Sequence, residues 1–267
     1  MKAEVFKRYW KVYKIFFKNS VSYISQFKAE SFIRIFLNIA WILSLFLTIE
    51  IIFGQTQKLG GWQKPEVYIL MLFWLIADEV WGFFVGANLA NLSQLVRTGE
   101  MDFHLIKPVS PLFVISTKFI QIRSLPRFLT EIILLIVVIK KFNIAITFFS
   151  AINATFLLIG SMFILYAFEI LVNSLSFWLI KIDALEDLYG TFFQFGKFPM
   201  EVFPKTVRII FLSAIPIAFI AYVPAAAMLG KWPWYGTIYV FAFAAFSLFC
   251  AFKFWNFALK RYSSASS

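Results

Sequence analysis

The acids deepest in the long apolar stretches of this 267-residue chain are Asp78, Glu79 and Glu169, the last followed by the amide Asn173. A charge at mid-bilayer costs about 2.5–3.5 kcal/mol even on lenient insertion scales, so such side chains face a cavity, water or a partner. Two readings stand side by side for them. They line a path through which a solute moves, or they form hydrogen bonds that fix two helices together. Trp74, Trp81, Phe83 and Phe84 could contact an apolar solute, but in a chain with 36 phenylalanines packing and lipid contact explain them better.

Other chemistries are excluded by what the chain lacks. His104 is the single histidine and Cys250 the single cysteine. A two-histidine metal site, a zinc cluster of cysteines and a disulfide framework are therefore impossible within it. No catalytic constellation accompanies His104, which reads as a hydrogen-bonding loop residue. Residues 190–198 carry two glycines and a lysine in a faint phosphate-loop pattern. The glycine spacing is one residue too long, and Phe198 stands where a magnesium-binding hydroxyl belongs. No nucleotide, metal or other cofactor is expected on this chain.

One of the few polar runs is Arg97–Pro111. It mixes both charge signs, contains His104, and ends in Pro108 and Pro111, which forbid a continuous helix there. A loop within lipid cannot satisfy its backbone, so this run lies in water or against another protein.

The elements that must position these residues are membrane elements. The chain is 61% hydrophobic and only 15% charged, with a mean hydropathy of +0.80. A soluble domain is nearer half apolar and a quarter charged, so the fold expected is an all-α polytopic membrane protein. With about 20 apolar residues per crossing, six transmembrane helices fit, with no large soluble domain. Residues 1–31 read as an interfacial helix. Lys7, Lys11, Lys14 and Lys18 form one stripe and Phe6, Trp10, Tyr13 and Phe17 the next. No cleavable leader is expected, because no small-residue cleavage site follows. Spans are expected at residues 32–53, 66–90, 126–141 and 144–179, and a last one at 234–259.

The fifth span is ambiguous. Hydropathy alone selects Ile209–Leu229, yet Pro199, Pro204, Pro216 and Pro224 break that neighbourhood. The alternative places it at residues 184–200 and makes 204–229 a re-entrant pair of helices on the outer side. The tail 260–267 is polar and reads as disordered. Lysine and arginine crowd the N-terminal region, the loop after span two and the C-terminal end, which puts both termini and the polar run on the cytoplasmic side. The net charge of +11 then matches an anionic leaflet rather than nucleic acid.

Two stretches resemble the membrane subunits of type-2 ABC exporters, in the branch of permeases of unknown substrate. One is Gly99–Asp102 followed by Leu105-Ile106-Lys107-Pro108-Val109-Ser110-Pro111-Leu112. The other is Phe198–Pro204 with the later Ile215-Pro216 and Tyr222–Ala225. The resemblance covers nearly the whole chain. It implies two paired permeases (two copies or two related chains) with two ATPase subunits beneath them, which bind the ATP and magnesium. It implies a bacterial cytoplasmic membrane. It also implies a coupling region at 92–111, whose helix within Leu95–Leu105 carries Leu95, Arg97, Thr98, Gly99, Glu100, Met101, Asp102 and Leu105, with Glu100 and Asp102 facing the motor. It favours the re-entrant alternative for 204–229. The chain departs from the pattern at Asp183, Glu186 and Asp187, which make the inner end of span five unusually acidic. Two other classes fit the composition: an intramembrane lipid-modifying enzyme using Asp78, Glu79 and His104, and an ion-coupled carrier. The carrier's signature, an inverted repeat, is not visible.

Overall fold

The computed structural model describes residues 2–24, 28–179 and 182–262. Among them all regular structure is helical, apart from one bridge between Leu59 and Trp62. The expected helix over 1–31 appears as α1 (Lys2–Ile24), whose lysines and aromatics are largely exposed. Residues 25–27 and the tail residues 263–267 lie outside the described residues. Three contacts tie α1 to the end of the polar run and the segment after it: Arg8 donates to the Pro108 carbonyl (3.1 Å), the Ser110 N–H to Tyr9 Oη (2.9 Å) and the Ile120 N–H to Ser20 Oγ (3.1 Å).

Helix α2 (Lys28–Gln55) buries a narrow seam of Ile42, Leu45 and Ile49, at the spacing that keeps one helical face inward. Phe36, Leu43, Leu47 and Ile51 point outward, as they can where the solvent is hydrocarbon. Helix α3 (Lys64–Trp81) is the opposite case: every residue from Val67 to Ala77 is buried. Its first turn holds Pro65 and Glu66, and the Glu66 carboxylate accepts from the N–H of the capping residue Gln63 at 2.8 Å. A π-helical stretch over Gly82–Gly86 and the short α4 (Ala87–Leu89) carry it close to the expected boundary.

The polar run forms α5 (Leu92–Thr98), α6 (Asp102–Leu105) and α7 (Pro111–Thr117). Helix α8 (Leu125–Lys141) then packs along α3. Helix α9 (Phe148–Ser174), prolonged by a 3-10 turn to Phe177, starts four residues later than expected. Asn143 turns the chain with φ 48°, and Thr147 and Ser150 cap each other's backbone N–H groups at 3.1 Å.

Beyond it lie α10 (Asp183–Phe193), a 3-10 turn to Lys197, α11 (Lys205–Phe211), α12 (Tyr222–Met228) and α13 (Trp234–Leu259). The stretch Ile209–Leu229 is therefore not one helix, despite its hydropathy. Pro204 precedes α11 and Pro216 precedes a 3-10 turn at Ile217–Phe219. Pro199 likewise precedes the turn at Met200–Val202, while Pro224 sits in the first turn of α12, where its missing N–H is least damaging. The α11–α12 hairpin returns to the end of the bundle where α3 begins. Glu201 accepts from Trp62 Nε1 (3.0 Å) and from Tyr222 Oη, and Lys231 pairs with Glu66 at 2.6 Å. Helix α9 packs along both α12 and α13. At Gly160 an added Cβ would lie 3.1 Å from Val240 Cγ1, so the absent side chain is what lets α9 and α13 approach.

Among the described residues, four helices are long and apolar enough to cross a membrane: Phe36–Gln55, Lys64–Val85, Phe148–Phe177 and Trp234–Leu259. Six were expected. The other two elements are shorter: α8 has 17 residues and α10 has 11, about 25 and 16 Å of helix against a hydrocarbon core of about 30 Å.

Candidate functional site

Asp78 and Glu79 occupy the last turn of α3, and the neighbouring helix answers them. Arg127 and Glu131 lie one turn apart on α8. Arg127 Nε is 2.8 Å from Glu79 Oε1 and 3.2 Å from Glu131 Oε1, while its Nη2 is 3.7 Å from Asp78 Oδ2. Glu79 and Glu131 are buried, at 5% and 0% exposure; the Asp78 side chain is partly open at 41%. One guanidinium thus serves three carboxylates, and a planar fork with five donors is the group suited to do so. Through Glu79 the guanidinium clasps α3 to α8.

Two members of this cluster escape the sequence reading. Arg127 counts there as one more positive residue of a basic loop, and Glu131 goes unremarked inside an apolar run. The available signal is their i, i+4 spacing just after Pro126, which places both charges on one face of a starting helix. Glu169 and Asn173 form a separate unit on α9. Asn173, fully buried, donates through Nδ2 to the Glu169 carbonyl (3.0 Å) and to its Oε2 (2.8 Å).

The polar run builds a compact turn rather than one helix. Gly99 closes α5 at φ 75°, a left-handed conformation that glycine adopts without a Cβ penalty, and the chain restarts as α6 at Asp102. The single helix expected within Leu95–Leu105 is therefore split in two. Met101, between the halves, is fully buried and joins Leu92, Ile115, Ala251 and Trp255. It roots the turn in the bundle instead of facing outward. Leu95 is half-buried on the same side. Arg97, Thr98, Glu100 and Leu105 are exposed, and with them Phe103 (66%) and Ile106 (81%), which the sequence reading does not select. An acid beside an exposed aromatic and aliphatic tip, on a rigidly rooted turn, has the chemistry of a protein-docking surface.

His104 points the other way and is buried. Burial, reinforced by the positive charges of Lys107 and Lys118 and opposed by Glu100, holds its imidazole below the usual pKa. Its Nδ1 has no hydrogen-bond partner among the described residues, so the expected hydrogen-bonding role is not seen at that atom.

The sequence model of the ABC-2 family transporter proteins matches residues 39–266. The chain belongs to the ABC-2 transporter family. Among curated proteins no relative matches it. The matched region runs from within α2 to residue 266, and so takes in both the Arg127 clasp and the Leu92–Leu105 turn. As an ABC-2 family member it is a multi-pass membrane component of a transporter, of the kind that works with ABC ATPase subunits. That is the resemblance Gly99–Leu112 carries, and its fold is all-helical as expected.

Proposed function

We propose that this ABC-2 protein is the permease subunit of an ATP-driven exporter, pairing with a second permease and moved by separate ATPase subunits that bind ATP and magnesium. The observation that carries this is the Leu92–Leu105 turn, rooted by buried Met101 and presenting Glu100, Phe103 and Ile106 outward. In this reading the turn is the coupling element. ATP binding draws the motor subunits together, the push enters through Glu100, Asp102 and the apolar tip, and Met101 passes it to α13 and α7. A bistable element biased from a distant ligand site is the physical content of such coupling.

The six crossings of this reading are α2, α3, α8, α9, α10 with its 3-10 extension, and α13. The α11–α12 hairpin is re-entrant from the outer side. What supports that placement is the contact of both its ends with Trp62 and Glu66, at the end of α3 opposite the coupling turn. Irregular backbone at membrane depth is tolerated where protein covers it, and Ile217–Val223 is covered. Both termini and the coupling turn are cytoplasmic, in a bacterial inner membrane, with the basic face of α1 on the anionic leaflet. The solute is amphipathic or lipid-like, consistent with an aromatic content of 21%.

Cysteine labelling tests the arrangement. In a Cys250→Ser background, Phe103→Cys should react with a membrane-impermeant maleimide only in inside-out vesicles, and Gly61→Cys only in right-side-out cells. Phe103→Cys labelled from outside would overturn the proposal.

A further inference from the structure

Behind the coupling turn lies a cavity of about 200 Å³, between the end of the α3–α4 rod and helices α5, α6 and α7. It is smaller than a drug-sized pocket and far larger than a single water needs. One wall is fixed in advance: Asn88, 3% exposed, donates to the Phe119 carbonyl at 2.6 Å and accepts from the Phe119 N–H at 2.7 Å. The lining is mixed, and its polar part carries both signs. Glu100 contributes an anion, Lys118 a cation, and Gln94 an amide. Between them lies His104, 4% exposed, with Nδ1 buried and without a hydrogen-bond partner among the described residues. A buried polar atom without a partner is rare in a finished site and marks a bond that a ligand or water supplies.

We infer that this cavity holds a dipolar phosphate–ammonium group, the headgroup of phosphatidylethanolamine, with its phosphate at Lys118 and its ammonium at Glu100. A simple anion would meet the Glu100 carboxylate, and a simple cation the Lys118 ammonium; only a ligand with both ends pairs both. The position selects a lipid. Phe119, half-exposed beside the cavity, offers apolar surface to acyl chains. The next residue, Ile120, is bonded to Ser20 of the interfacial helix α1 at 3.1 Å, so the cavity opens at the level where headgroups lie. The inference rests on the cytoplasmic placement of the coupling turn. It adds that the turn is set by a lipid as well as by its motor, because Glu100 and His104 belong to the turn while Lys118 follows α7.

The test uses the full chain purified in detergent without any ATPase, incubated with phosphatidylethanolamine, phosphatidylcholine or phosphatidylglycerol, and examined by native mass spectrometry. Phosphatidylethanolamine should be retained in preference to the other two, and Lys118→Glu should lower its retention about tenfold, with Glu100→Lys doing the same. Gln94→Trp, which fills the cavity from an exposed position, guards against misfolding as the cause and should also abolish retention while the melting temperature is unchanged. Displacement of phosphatidylethanolamine by excess water-soluble glycerophosphoethanolamine would support the headgroup chemistry, whereas tighter binding of the free ester than of the lipid would overturn the lipid as its source. Equal retention by all variants, or phosphatidylglycerol bound as well as phosphatidylethanolamine, would overturn the inference. Because no motor is present, failure here leaves the exporter reading standing, and failure of motor binding leaves this result standing.

Discussion

Replacing Arg127 by methionine removes the cation that holds Glu79 and Glu131 between α3 and α8. Both carboxylates are buried, so each loses a compensating partner at 2.8 and 3.2 Å, whereas Asp78 is open enough for water to replace it. Breaking a buried pair by deleting one member costs about 3–5 kcal/mol, mostly as uncompensated charge. At roughly 2–4 °C per kcal/mol for a chain of this size, the melting temperature in detergent should fall by about 6–20 °C. The triple variant Arg127→Met, Glu79→Gln, Glu131→Gln removes the stranded charges with the cation. It should recover most of the loss, since a buried ion cluster is often no better than neutral packing. A single variant that melts within about 1 °C of the parent would refute the clasp. So would a triple variant as unstable as the single one.

Other outcomes follow from the same contacts. Gly160→Leu should destabilise by about 1–3 kcal/mol through overpacking against Val240 at the α9–α13 crossing, read as a lowered melting temperature beside a milder Gly160→Ala. Glu201→Ala strands Trp62 Nε1 and Tyr222 Oη at the base of the α11–α12 hairpin. It should cost about 1.5–3 kcal/mol and speed proteolysis within residues 203–216. His104 is held below its ordinary value, about 6.5, so the unfolded chain takes up the proton first. Its contribution to stability is complete above that ordinary value and is lost as pH falls through the lower folded value. Melting temperature should therefore drop on acidification below about pH 6.5, and His104→Gln should flatten that part of the profile.

The sequence shows some of these features and hides others, and the difference is physical. The long spans are legible because twenty apolar residues leave no other solution, and α1 because its lysines keep helical spacing. The start of α9 is missed because Thr147 and Ser150 set it by a local cap, while hydropathy already runs high at Ile144. Ile209–Leu229 looks like a crossing on hydropathy although Pro216 forbids one; there the proline signal outranks the composition. At the site, Asp78 and Glu79 stand out because any charge in an apolar run does. Arg127 does not, because an arginine near a span end looks like an ordinary interfacial anchor until α8 is laid beside α3. Glu100 is recognisable from its motif, but the burial of Met101 and the exposure of Ile106 depend on Gly99 taking a left-handed turn.

The central claim is that the Leu92–Leu105 turn is gripped by a separate ATPase. Its most direct test is affinity purification of the full chain from its native membrane, with and without the paired change Glu100→Lys and Asp102→Lys. The account predicts that an ABC ATPase subunit accompanies the parent protein and is lost from the variant, while the variant keeps its melting temperature. An ATPase retained equally by both would contradict it, as would a parent chain that carries no ATPase at all.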